Sequence, residues 1–228
     1  MLVVGWEAAL FLRGIVTGAT AADRMATMTT PRRLLWSTLR HGPFPWALNR
    51  HLRRAAAAAR KRFAGPLTYA ALGFESVDWR PFDHVGVDHY RSGEPLDVWA
   101  ARIAERRRHG KPVVLTELGC ATYAGAAARG ALAWTVVDRS TDPPRLGEPV
   151  VRDERAQAEE VGALLDAAQA AGVDGAFVFT YAAFSYPHQP EPEFDLDTAG
   201  YGLVAVLPDG SVRRKAAFDA VARRFTAG

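Results

Sequence analysis

The sequence predicts a parallel α/β protein, and three observations carry that reading. Short apolar runs alternate along the chain with stretches of helical spacing, the mark of βα units. The runs are continuously apolar rather than alternating, which is what a sheet covered on both faces requires. Acidic and aromatic residues gather just past the ends of the runs, where parallel α/β folds meet their ligands.

The first run, Leu2 to Gly5, predicts a short buried strand ending at Trp6 and Glu7. Residues 45–63 predict a helix: Leu48, Leu52, Ala55, Ala59 and Phe63 fall at helical spacing, and Gly65-Pro66 stops it. "LTYAALGFESVDW" (67–79) holds a second strand and "FDHVGVDHY" (82–90) a third. Residues 96–108 predict a helix with Leu96, Trp99 and Ile103 on one face, closed by Gly110. Pro112 to Glu117 is the fourth strand. "RDERAQAEEVGALLDAAQAAG" (152–172) is a helix with acids in its first turn and Gly172 at its end. "VDGAFVFTYA" (173–182) is the fifth strand, and residues 215–225 form a last helix through Phe218, Val221, Ala222 and Phe225. With no repeat and no long linker, residues 1–228 read as a single domain.

Composition narrows the function. The 228 residues are 49% hydrophobic and 23% charged, with a net charge of +3, as in a globular chain with room for a sizeable core. The basic residues cluster at Arg50, Arg53, Arg54, Arg60, Lys61 and Arg62, and again at Arg106, Arg107 and Arg108. These clusters read as solvated helix faces, and no nucleic-acid motif accompanies them, so no nucleic-acid partner is expected. No apolar run reaches the ~20 residues of a membrane span, so no membrane partner is expected either. "MLVVGWEAALFLRG" is apolar, but Glu7 interrupts it and no basic region precedes it, which makes it a poor signal peptide and the chain, as written, cytoplasmic. The one cysteine, Cys120, rules out an internal disulfide and reads as a buried small hydrophobe or, next to Glu117, as part of a site lining.

The pointed stretch is "KPVVLTELGC" (111–120). A carboxylate closing an apolar strand is costly unless it is hydrogen-bonded, paired or used. Glu117 has counterparts at other strand ends: Glu7 after the first, Glu75 and Asp78 after the second, Asp88, His89 and Tyr90 after the third. Thr180 and Tyr181 end the fifth, with Phe184, Tyr186 and His188 beyond. Two carboxylates across a cleft, with aromatic faces for sugar rings, suit glycoside hydrolysis: one protonates the leaving oxygen, the other attacks the anomeric carbon or activates water. A tyrosine beside the nucleophile keeps it ionised by hydrogen bonding. The substrate-binding set is then Trp6, Glu75, Asp88, His89, Tyr90, Tyr181 and His188, around the catalytic pair Glu7 and Glu117.

Each residue also has a structural reading. Glu117 serves equally as an N-cap or ion-pair partner, Glu7 as a partner of Arg13, His89 as a satisfied core histidine, and Glu75 and Asp78 as turn caps. Asp195 and Asp197 in "EFDLDTAG" read as turn residues, and no metal or cofactor is expected. "AAFSYPHQPEPEF", after Tyr181, has no glycine for a phosphate loop and argues for a neutral ligand.

"KPVVLTELG" resembles the strand-seven signature of the large clan of retaining glycoside hydrolases built on the (β/α)8 barrel. "FDHVGVDHY" resembles the strand before it, and "GAFVFTYAAFSYP" resembles strand eight. "YGLVAVLPDGSVRRKAAFDAVARRF" resembles the usual ending of that barrel. More narrowly, "GWEAALFLRGIVTG", "FESVDWRPFDHVGVDHYR", "TELGCATYAGAAARG" and "RDERAQAEE" resemble bacterial proteins of this barrel labelled abortive infection proteins. The resemblance implies a TIM (β/α)8-barrel fold, Glu117 as nucleophile, Glu7 as strand-four acid/base, Tyr90 as the nucleophile's support and Tyr181 as the subsite aromatic. It departs at Trp6, where the clan places an Asn for the sugar's 2-hydroxyl, a bond worth several kcal/mol in the transition state. Tyr181 also replaces the commoner Trp. A whole barrel takes ~250 residues and eight strands; the runs here match strands four to eight, so a partial barrel is expected, as a truncated chain or with open edges at Leu2–Gly5 and 176–180 prone to self-association. A missing N-terminus leaves the localisation unknown. The function so implied is a glycoside hydrolase-like barrel acting on a carbohydrate. The alternative is a non-catalytic barrel that binds a glycan or a protein in a phage-defence or stress role.

Overall fold

In the computed structural model, which describes residues 1–226, each apolar run becomes a strand. These are β1 (Leu2–Trp6), β2 (Leu67–Ala71), β3 (Val85–Asp88) and β4 (Val113–Leu118). Then come two-residue strands β5 (Val137–Asp138) and β6 (Arg145–Leu146), which pair with each other, and finally β7 (Gly175–Val178). One five-stranded parallel sheet results, in the order β1-β2-β3-β4-β7. The chain forms two compact units, Met1–Asp88 with Arg106–Thr116, and His89–Glu105 with Glu117–Gly228.

In the first unit, every residue of β2 and β3 is buried, as the continuous apolar runs require. Gly86 lets β3 close on β2: a Cβ there would stand 2.4 Å from the Tyr69 carbonyl oxygen. Helix α4 (Phe44–Arg60) sends Ala47, Leu48, Leu52 and Ala56 into the core at the spacing the sequence displays. Asp83 fixes the start of β2 by accepting from the Leu67 amide at 2.7 Å.

Residues 8–43, to which no pattern assigned an element, form three helices: α1 (Ala8–Phe11), α2 (Ala21–Thr29) and α3 (Pro31–His41). Thr20 and Asp23 make a reciprocal capping box at the start of α2, and Pro31 opens α3. The reason they escape pattern reading is visible in α3, which buries Ser37 and turns Leu35, Trp36 and Leu39 to solvent.

In the second unit, α5 (Leu96–Ala104) is shorter than the helix expected over 96–108; 3-10 turns take over at Glu105–His109. Helix α6 (Glu154–Ala170) is capped by Asp153, whose carboxylate accepts from the Ala156 amide at 2.8 Å. A hairpin of β8 (Val204–Val206) and β9 (Val212–Arg214) leads into α7 (Ala216–Thr226), which Arg224 ties to α6 through Asp166 at 2.7 Å. Phe179 runs beside the end of β4, its amide donating to the Leu118 carbonyl at 2.8 Å.

One expectation is corrected. Burial on both faces holds for β2 and β3 but not for the two strands at the ends of the sheet order. Leu2 and Val3 of β1 and Phe177 of β7 are exposed, because an end strand has a neighbour on one side only.

Candidate functional site

Glu7 closes β1 with its backbone in the left-handed region, φ 39° and ψ 43°. A non-glycine residue there carries strain on the order of 1–3 kcal/mol and persists only where its surroundings over-determine it. The surroundings here do so. The Glu7 amide donates to the Ala70 carbonyl of β2 at 2.9 Å. The next two amides, the free N–H groups of α1's first turn, are both satisfied from β2 and the loop after it: Ala8 donates to the Tyr69 hydroxyl at 2.6 Å and Ala9 to Glu75 Oε1 at 2.9 Å. Tyr69 in turn donates to Glu75 Oε2 at 2.8 Å, and the Leu72 amide adds a bond at 3.0 Å.

Glu75 is therefore buried beneath the Glu7 turn, both carboxylate oxygens engaged by the first unit. Burial pushes its carboxyl above the usual range, against the pull of the Ala9, Tyr69 and Leu72 donors. Asp78 is gripped by Arg80 Nε at 2.8 Å and Nη2 at 2.7 Å, which holds its carboxyl low. Asp88, buried at the end of β3, accepts from Thr116 Oγ1 at 2.7 Å. Trp6 is 59% exposed, with its ring 6.4 Å from that of Phe11.

In the second unit the Tyr90 hydroxyl donates to Glu117 Oε2 at 2.9 Å. Burial pushes the Glu117 carboxyl up, and the Tyr90 bond pulls it down. His89 meets Glu117 through the backbone, its amide donating to the Glu117 carbonyl at 2.8 Å. Its ring stacks on Trp99 at 4.8 Å and sets Nε2 3.1 Å from the Trp99 carbonyl oxygen. Tyr181 lies against Phe218 at 6.5 Å. His188 Nδ1 lies 2.9 Å from Asp195 Oδ1. Cys120 is buried, and burial lifts its thiol to about 12, so it is the inert small hydrophobe expected.

Three features around this unit escape sequence reading. Tyr201 presents its ring edge to Tyr90 at 5.8 Å and to Phe179 at 6.1 Å, and accepts from the Ala133 amide at 3.0 Å through its hydroxyl. Phe179 is half-exposed, two residues before the aromatic that the strand-eight resemblance selects. Gly119 is required at its place: a Cβ there would stand 2.3 Å from the Phe179 carbonyl oxygen.

Asp195 and Asp197 are not plain turn residues. Both are buried and paired with Arg152, at 3.0 and 2.7 Å, and Lys215 Nζ reaches Asp197 at 3.2 Å and Thr122 Oγ1 at 2.7 Å. Burial lowers Lys215 to about 8, against the attraction of Asp197. On Glu154, burial is outweighed by Arg213 and Arg152, and its carboxyl falls to about 2.

No family model matches the chain, and no curated protein matches it. Solved structures do. A GH113 β-1,4-mannanase in complex is 16% identical, with a TM-score of 0.52 over 78% of this chain and 50% of its own. A fungal β-1,4-galactanase is 15% identical, with a TM-score of 0.52 over 81% and 57%. The chain spans about half the length of these structures. The likeness carries the fold alone: a (β/α) barrel type, present in part, with five parallel strands.

Proposed function

We propose that the chain is a glycoside hydrolase-like protein of the retaining type, with its strands corresponding to strands four to eight of the full barrel. Glu7 acts as acid/base, Glu117 as nucleophile and Tyr90 as the nucleophile's support. The observation that carries this reading is the Tyr90–Glu117 hydrogen bond of 2.9 Å at the end of an otherwise apolar strand. It answers why β4 ends on a carboxylate: the hydroxyl stabilises the ionised form that an attacking oxygen needs. The strained turn at Glu7 is the second support, since strain concentrates where a side chain must be aimed. In the reaction, Glu117 bonds to the anomeric carbon as the glycosidic bond breaks and Glu7 protonates the departing oxygen. Water, deprotonated by Glu7, then releases the sugar. The half-exposed Phe179 ring offers an apolar face suited to a pyranose.

A panel of activated 2-deoxy-2-fluoro glycosides tests this. Peptide mapping by mass spectrometry should find the sugar on Glu117; intact protein with no adduct from any member of the panel refutes the nucleophile assignment. A second reading, a binding protein without turnover, is favoured by Trp6, which stands exposed where hydrolases of this type hold an asparagine. Saturable glycan binding with no labelling supports that reading over the first.

A further inference from the structure

We propose that α3 and the start of α4 form a docking surface for an anionic lipid bilayer. From Arg24 to Phe74 the sequence has no Asp or Glu, but nine arginines and Lys61. Several of these are committed elsewhere: Arg24 is buried against backbone carbonyls, Arg53 reaches Asp78, and Arg60 pairs with Asp83. Arg32, Arg33 and Arg40 of α3 stand exposed in that acid-free stretch. The acid nearest in sequence, Asp23 on α2, is engaged by its own cap residue Thr20 at 2.8 Å.

The same arc of α3 carries apolar side chains that the fold leaves uncovered: Leu35 is 60% exposed, Trp36 71% and Leu39 70%. Helical geometry, at 3.6 residues per turn, sets Arg32, Leu35, Trp36 and Leu39 on one stripe, with Arg33 and Arg40 on its flank. Trp46, 50% exposed at the start of α4, has the Arg50 guanidinium 4.4 Å above its ring and packs against Gly42 in the turn from α3. An apolar cleft of ≈ 580 Å³ opens on the other side of α3, lined by Met25, Met28, Leu34, Phe44 and Phe74 among others.

A helix with leucine and tryptophan on its outward stripe, arginines beside them and no acid of its own is built to lie in a bilayer interface. The aliphatic residues enter the acyl boundary, the indole sits at headgroup level, and the arginines meet anionic phosphates. Exposed leucines have no use in a polyanion such as nucleic acid or an acidic glycan, and the cationic charge disfavours a second copy of the same face. Among the described residues no helix is long and apolar enough to cross a membrane; surface binding needs none.

Vesicle co-sedimentation of the full chain, with phosphatidylcholine alone and with added phosphatidylglycerol, tests this. Binding should require the anionic lipid and weaken with salt. Arg32→Gln/Arg33→Gln/Arg40→Gln should weaken it by about 100-fold, and Leu35→Ser/Leu39→Ser should abolish it, both with wild-type circular dichroism. The proposal is overturned by no binding to anionic vesicles, by binding indifferent to both variants, by tighter binding to duplex DNA than to the vesicles, or by a dimer in light scattering that Leu35→Ser/Leu39→Ser dissolves.

Discussion

At the scale of single residues, the account rests on carboxylates whose surroundings set their charge. Glu117 is raised by burial and held down by one hydrogen bond. Removing that bond with Tyr90→Phe should lift the Glu117 carboxyl further, seen as an upward-shifted acid limb in a pH titration of the carboxyl by NMR. An unshifted titration would detach Tyr90 from the ionisation of Glu117. Glu75 makes the complementary case. Three donors converge on it, and Glu75→Gln puts an NH2 where the Tyr69 hydroxyl and the Leu72 amide both donate. The stranded donors should cost about 1–3 kcal/mol of stability in urea unfolding; a neutral effect would show that Glu75 does not hold the Glu7 turn. Much of this was legible in the residues themselves: Glu7, Glu117 and Tyr90 stand out as polar groups closing apolar runs. The role of Glu75 was not legible, because its partners Ala8, Ala9 and Tyr69 come together only once β1 lies along β2.

At the scale of elements, the strands were the readable part. A continuous apolar run of this length bounded by polar residues leaves few alternatives in a chain rich in helical spacing. Helices α2 and α3 were unreadable for the opposite reason: their apolar residues do not mark a buried face, so the period that normally signals a helix points outward. Strands β4 and β7, neighbours in the sheet, show how tightly elements are fitted. Gly119→Ala would drive a Cβ into the Phe179 carbonyl and should lower stability by about 1–3 kcal/mol, measurable in the same unfolding assay; an unaffected midpoint would mean the backbone there yields freely. At the start of α6, Asp153→Ala removes a cap bond and should cost about 1 kcal/mol, with a larger loss implying a partner beyond Ala156.

At the scale of the whole molecule, the second unit buries a charge cluster that no local pattern announces. Arg152, Asp195, Asp197 and Lys215 are separated by as many as 63 positions, 215 − 152, and only the fold makes them neighbours. Lys215 sets a pH dependence. Its pKa falls from 10.5 to about 8 on folding, so between those values the unfolded chain binds a proton that the folded one does not, and stability from this group rises with pH across that window. Lys215→Met should flatten the slope of unfolding free energy between pH 8 and 10.5; an unchanged slope would place the titration elsewhere.

The (β/α) barrel likeness covers about half of each related structure, and the proposed chemistry depends on two acids reaching one substrate. A crystal structure of this chain measures that directly. The account predicts Glu7 and Glu117 carboxylates about 5–5.5 Å apart, the spacing of a retaining pair. A separation well beyond about 10 Å, outside even the range of an inverting pair, would contradict it.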